Sequence, residues 1–174
     1  MKTLAETCLP QCSLKIVSEE HRRPEVVANL LRGKPVLIPY DSDGNFEPCL
    51  KRGRSAHWAI LHGICFVLQP SSFKGELEFL SDMDLKCHRM LHITNSVPDG
   101  GIAKLVKLVE SQEAAVFVYA SQGKSRHVAL WELGLLLDSN KNLADFTTKY
   151  DISEFVVPDG GVSQGLSNQV LLFT

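Results

Sequence analysis

The sequence predicts a single α+β domain built on an antiparallel sheet, and two observations carry that prediction. Apolar segments of strand length follow one another with few stretches of helical period between them, so strands pair as hairpins rather than through regular helical crossovers. No internal repeat, low-complexity run or linker divides the 174 residues, a length that suits one domain with its own core. A hydrophobic share of 44% beside 22% charged residues belongs to a folding chain, not a disordered one.

The elements follow in order. Cys12 to Val17 alternates as a short strand. Pro24 to Arg32 reads as a helix, with Pro in its first turn, Val27, Leu30 and Leu31 on one face, and Gly33 closing it. Pro35 to Tyr40 is a continuous apolar run, hence a buried strand. Asp41 to Ser55 is a loop rich in Asp, Gly, Asn and Pro, and Ala56 to Leu68 is a long strand that Gly63 kinks or bulges. Gln69 to Gly101 carries little regular pattern. Ile102, Leu105, Val106 and Val109 recur at helical spacing, predicting a helix over Ile102 to Ser111. Ala114 to Ala120 and His127 to Trp131 form a strand pair around the Ser121-to-Arg126 turn. A short helix over Glu132 to Leu137 and closing strands at Phe155 to Val157 and Gln169 to Phe173 complete the domain.

A formal net charge of −2 gives no electrostatic case for nucleic acid or an anionic membrane as partner. Basic runs at Lys51-Arg52-Gly53-Arg54 and Lys124-Ser125-Arg126 fit solvated loops, or a surface that attracts an acidic substrate. The five cysteines are odd in number and widely spaced. Met1 to Ser13 lacks the apolar core of a signal peptide, and no stretch approaches the roughly 20 apolar residues of a membrane span. Free thiols in a reducing cytoplasm account for this usage.

Chemistry concentrates at Gly53-Arg54-Ser55-Ala56-His57-Trp58-Ala59-Ile60-Leu61-His62-Gly63. A polar, basic, Gly-bearing loop runs into an imidazole that opens a long apolar strand. A strand fixes the ring, and the loop before it leaves one side open to substrate, as a general base requires. Alternation turns Trp58 and Ile60 away and puts the small Ala59 on the face of His57, leaving room for a partner. The same pattern also fits a half-buried histidine at a strand start, so the flanks decide.

Upstream lies Leu31-Arg32-Gly33-Lys34-Pro35-Val36-Leu37-Ile38-Pro39-Tyr40-Asp41-Ser42-Asp43-Gly44-Asn45-Phe46-Glu47-Pro48-Cys49. Downstream come Ser121-Gln122-Gly123-Lys124-Ser125-Arg126-His127, Leu130-Trp131 and Asp138-Ser139-Asn140. In that order and spacing the set resembles the actin maturation proteases, over nearly the whole chain and least between Gln69 and Glu113. The resemblance implies a cytosolic cysteine aminopeptidase with a papain-like fold, which removes an N-acetylated Met or Cys from the N-terminus of actin. It implies no cofactor and no metal. In that family the nucleophilic Cys lies well upstream of the Leu37-to-Asp41 segment, at a helix start. The expectation is therefore a single, incomplete papain-like domain over residues 1–174, the sheet half of the enzyme, inactive alone. The alternative from another class is a non-catalytic module that binds actin or another partner.

A cysteine peptidase needs a thiolate, an imidazole and a group that orients the imidazole. Cys65 is eight residues from His57 along one strand, so roughly 26 Å away at about 3.3 Å per residue. Cys8 would close any helix begun at Met1, where the dipole disfavours a thiolate. Cys12 and Cys87 lack helix-start context, and only Cys49 has a flexible enough loop to reach His57. Gln122 is the candidate orienting group, its amide oxygen accepting the imidazole proton that faces away from sulfur; it equally fits a plain Gln122-Gly123 turn. Ser121 is a weaker substitute, while Asp41, Asp43 and the basic loop would line the approach. Gly123-Lys124-Ser125 lacks the Gly a phosphate loop needs at Val118 and runs into a strand. Cys87, His88 and His92 have no second ligand pair at metal spacing, and Trp58 and Trp131 read as core anchors.

Overall fold

The computed structural model describes residues 2–68, 90–93, 96–145 and 160–174. Among the described residues seven strands form one sheet: β1 (Leu14–Ser18), β2 (Val36–Asp41), β3 (Ala56–Leu68), β4 (Met90–Ile93), β5 (Ala114–Gln122), β6 (Ala129–Glu132) and β7 (Gln169–Phe173). Their order is β1-β7-β2-β3-β5-β6, with β4 pairing β3 at Ile64 to Val67. Every pairing is antiparallel, as the α+β expectation requires. The C-terminal strand inserts between β1 and β2, so the two ends of the chain are tied into one sheet. Among the described residues five α-helices accompany it: α1 (Lys2–Cys8), α2 (Arg22–Leu31), α3 (Asp99–Glu110), α4 (Leu133–Lys141) and α5 (Gly161–Gly165).

Side-chain alternation gives the sheet one dry face. Val36, Ile38 and Tyr40 of β2, Ala59, Leu61, Ile64, Phe66 and Leu68 of β3, and Val116, Val118 and Ala120 of β5 pack there with α2, α3 and α4. The period-2 pattern of β3 breaks once, between Leu61 and Gly63, where the register with β5 shifts. That bulge lets Leu61 and Ile64 both point inward and leaves His62 exposed. Burying one such aliphatic side chain contributes about 1.5–3 kcal/mol, so this seam dominates the stability of the fold.

Helix ends are secured by side chains. Asn29 donates to the carbonyls of Lys34 and Pro35 at 3.2 and 3.0 Å, joining the end of α2 to the start of β2. Glu132 caps α4, its carboxylate accepting from Gly134 N at 3.0 Å and Leu135 N at 3.3 Å. Helix α2 begins two residues before the expected Pro24, and two other helices depart further from their sequence-based bounds. The Gly100-Gly101 pair hides a helix start at Asp99, and α4, expected to end at Leu137, continues through Asp138-Ser139-Asn140 to Lys141. Ser139 and Asn140 remain helical because they bond β2 through their side chains: Asn140 Nδ2 donates to Pro39 O at 2.8 Å. Strand β4 lies within a stretch expected to carry little regular structure, and α5 has no counterpart in the sequence reading. The expected strand at Phe155 to Val157 lies outside the described residues.

Candidate active site

His57 is the second residue of β3, half-buried, and pairs with Tyr40 of β2. Ala59 follows it on the same face, and Ala59 pairs with Gln122, the last residue of β5. His57 and Gln122 are thus diagonal neighbours on the helix-covered face at one end of the sheet, with the small Ala59 next to both. Ser121 pairs with Ile60 and belongs to the opposite face, where its Oγ lies 3.1 Å from His62 Nε2; it is not placed to serve His57.

The Gln122 carboxamide is oriented by the turn that follows it. Its Oε1 accepts from Lys124 N at 2.8 Å, and its backbone carbonyl accepts from Ser125 N at 3.3 Å. Its Nε2 is buried with no hydrogen-bond partner among the described residues. The same turn brings Lys124 towards His57. Burial first, and then the positive charge of Lys124, hold the His57 imidazolium below the ordinary histidine range. That shift favours the neutral ring, the state a general base requires.

The loop that delivers His57 is held by buried polar contacts. Asp41 is fully buried, and its carboxylate accepts from Lys51 N and from Ser55 N, the latter at 3.4 Å. Asp43 Oδ1 accepts from Asn45 N at 2.7 Å and Glu47 N at 2.9 Å. Asp41 therefore shapes the loop rather than lining an approach, because it is buried and both its carboxylate oxygens are occupied by backbone N–H groups, while Asp43 braces the turn through Oδ1. Arg52 is fixed by Asp145 through two hydrogen bonds of 2.7 and 3.2 Å, while Arg52 O accepts from Ala144 N and Asp145 N. Gly53, at φ +89°, lies close enough to Asp145 O that a Cβ would sit 3.0 Å from it. The basic loop is thereby fastened to the chain just beyond α4.

None of the four described cysteines has the setting of an attacking thiolate. Cys8 is the last residue of α1, where the helix dipole disfavours negative charge. Cys12 follows in the turn before β1, again without a helix start behind it. Cys65 pairs with Phe117, far along β3 from His57, and burial pushes its thiol up. Burial first, and then the charge of Asp41, push the Cys49 thiol up as well, which keeps it protonated. Cys87 and His88 lie outside the described residues; the backbone of His92 belongs to strand β4. Among the described residues no cluster of three His, Cys, Asp or Glu side chains could hold a metal ion. The Gly123-to-Ser125 segment is the turn between β5 and β6.

Trp131 is a core residue, its ring 4.9 Å from that of Tyr40, the cross-strand partner of His57. Trp58 instead faces away and helps to line a cavity of about 220 Å³ with Ile16, Pro39 and Leu171. No helix among the described residues is long and apolar enough to cross a membrane.

Residues 1–65, which include His57 and its loop, match the family model described as the C-terminal domain of actin maturation protease-like proteins. The chain is 38% identical over 154 residues to the actin maturation protease of Bos taurus, covering 86% of this chain and 41% of that protein. This chain belongs to the actin maturation protease family. The Homo sapiens member is 34% identical over 169 residues, covering 94% of this chain and 46% of its own length. The Drosophila melanogaster member is 31% identical over 151 residues, covering 84% and 40%. The chain thus spans less than half the length of these family members. No solved structure matches it.

Sequence reasoning missed Lys124 as the charge that acts on His57, and Ser139 as the side chain that fixes Asp41. Neither carried a sequence signal, because the register that brings the turn after Gln122 to the His57 end of the sheet is set by strand pairing.

Proposed function

We propose that this chain is the base-bearing part of an actin maturation protease, a papain-like cysteine aminopeptidase that removes the N-acetylated Met or Cys from immature actin. The placement of His57 carries the reading: a neutral, half-buried imidazole at a sheet end, with an amide side chain diagonal to it and one side reached by a polar loop. In the proposed reaction His57 takes the proton of a cysteine thiol as sulfur attacks the carbonyl of the acetylated residue. It then returns that proton to the amine of the shortened actin as the peptide bond breaks, and water releases the acyl group from sulfur. Gln122 is the proposed partner that orients the ring. The basic segments at Lys51 to Arg54 and Lys124 to Arg126 flank the site and suit an acidic peptide. No cofactor enters the scheme, and a cytoplasmic location follows from the same reading.

The nucleophile is proposed to come from outside the described residues, since Cys8, Cys12, Cys49 and Cys65 lack the required setting. That observation also favours a second reading, a non-catalytic module that binds actin. The test is to incubate the chain with an N-acetylated actin peptide, alone and together with a cysteine-bearing N-terminal segment of a relative, and to follow the terminal residue by mass spectrometry. Cleavage only in the mixture supports the enzyme reading. Binding without cleavage in either sample supports the module. Cleavage by the chain alone that disappears with Cys49→Ser would show that the cysteine was misassigned.

A further inference from the structure

The loop before His57 and the turn after β5 carry four exposed cations, Lys51, Arg54, Lys124 and Arg126, with no carboxylate of the described residues at ion-pair distance. Arg52, in the same loop, is already held by Asp145. Among the four, Lys124 is the one whose charge acts on the imidazole. Its place is set by the backbone, not by the reach of a long side chain. Lys124 N donates to Gln122 Oε1 at 2.8 Å, and Ser125 N donates to Gln122 O at 3.3 Å. Gln122 in turn pairs with Ala59, two residues from His57. The turn is therefore anchored to the end of the sheet that carries the ring, while Lys124 itself stays open to a ligand.

A base that returns a proton to the leaving amine must come within about 2.6–3.2 Å of that nitrogen. The nitrogen belongs to the residue that follows the one removed, and the side chain of that residue branches from the next atom. It therefore comes to lie beside the His57 ring, where Lys124 already exerts its charge. We propose that Lys124 sets specificity on the leaving side, its ammonium pairing with an acidic side chain on the residue that follows the one removed. The inference rests on His57 as the base, as proposed above, and adds which residue of this chain reads the substrate. Pairing also offsets the charge that opposes protonation of His57, so an acidic substrate strengthens the base it meets. The other titratable groups at this end are Tyr40 and Asp41 on β2, Lys51, Arg52 and Arg54 in the loop, and Arg126 and His127 in the turn. Of these, Tyr40 is engaged by Phe46 O, Asp41 by Lys51 N and Ser55 N, and Arg52 by Asp145.

The probes are two peptides, N-acetyl-Met followed by Asp or by Asn in an otherwise neutral sequence. Their dissociation constants are measured by NMR at low salt for the chain, for Lys124→Met and for Lys124→Arg. The Asp peptide should bind the unaltered chain about threefold to fivefold more tightly than the Asn peptide, as one partly shielded ion pair allows. The preference should fall below about twofold in Lys124→Met and return in Lys124→Arg, a cycle that isolates the pair. The His57 midpoint should lie about 0.3–0.5 pH unit higher in the Asp complex than in the Asn complex, a twofold to threefold change in its protonation equilibrium, and this difference should vanish in Lys124→Met. Equal affinities, binding of neither peptide, or an Asp preference that survives Lys124→Met would overturn the proposal. Equal midpoints in the two complexes would overturn it as well, because the pair would then lie away from the ring. Adding the cysteine-bearing segment of a relative separates this inference from the reading beneath it. Cleavage of both peptides at equal rates would remove the specificity role and leave the base in place. An Asp preference that depends on Lys124, with no cleavage of either peptide, would support the ion pair and count against the catalytic reading.

Discussion

Ser139→Ala should destabilise the chain through a single buried pair of contacts. Ser139 is fully buried, and its Oγ lies 2.9 Å from both Asp41 N and Asp41 O, accepting from the one and donating to the other. The carbonyl keeps a second partner, Cys49 N at 2.8 Å, but the amide of Asp41 keeps none. An orphaned buried donor costs about 1–3 kcal/mol, and the better helix propensity of Ala returns about 0.5 kcal/mol. The net loss is about 0.5–2.5 kcal/mol. A domain of this size moves about 2–4 °C per kcal/mol, so the melting midpoint should fall by about 1–10 °C. Asp41 and Tyr40 pair with Ala56 and His57, so amide exchange at Asp41 should quicken in the same variant. Thermal and urea unfolding followed by circular dichroism measure the first effect, and hydrogen exchange the second. A midpoint within about 1 °C of the unaltered chain would refute the assignment of Ser139 as the clamp on β2.

Three further outcomes are expected. In a family member that processes actin, replacing the histidine equivalent to His57 with Ala should lower kcat/KM by at least about 10²-fold, the usual worth of a positioned base, while the melt is unchanged; the Gln122 equivalent should cost less, and normal turnover after the first change would end the catalytic assignment. Lys124→Met should raise the His57 midpoint, because it removes a positive charge that opposes protonation. The sign for stability follows: the folded chain binds a proton at His57 less readily than the unfolded one, so stability falls as pH drops below about 6.5 towards the folded midpoint, and Lys124→Met should weaken that fall in urea titrations at pH 5 and 7. Gly53→Ala should cost about 1–3 kcal/mol in the same unfolding assay, since φ +89° strains any side chain and the new Cβ would press within 3.0 Å of Asp145 O.

Local period determined much of this protein before any tertiary contact was considered. The bounds Ala56–Leu68 and Gln169–Phe173, the bulge at Gly63, and the opposite facing of Trp58 and Ala59 all follow from side-chain alternation and from glycine, which act within a few residues. For the same reason His57 could be recognised as a ring fixed on a strand behind a polar loop. The sequence also suggested Gln122 as its companion, but not which end of that amide would be occupied. Only the sheet register set Gln122 diagonal to His57 and brought Lys124 to the same end, because pairing between distant strands is chosen by the packing of whole faces. Tertiary contacts likewise clamped the Asp41 backbone to Ser139, carried α4 through Asp138-Ser139-Asn140, and slid β7 between β1 and β2. In each case a polar group or a strand edge found its partner far away in the chain. Residue spacing holds no record of such pairings; they are fixed when the buried faces close and every N–H beneath them must find an acceptor.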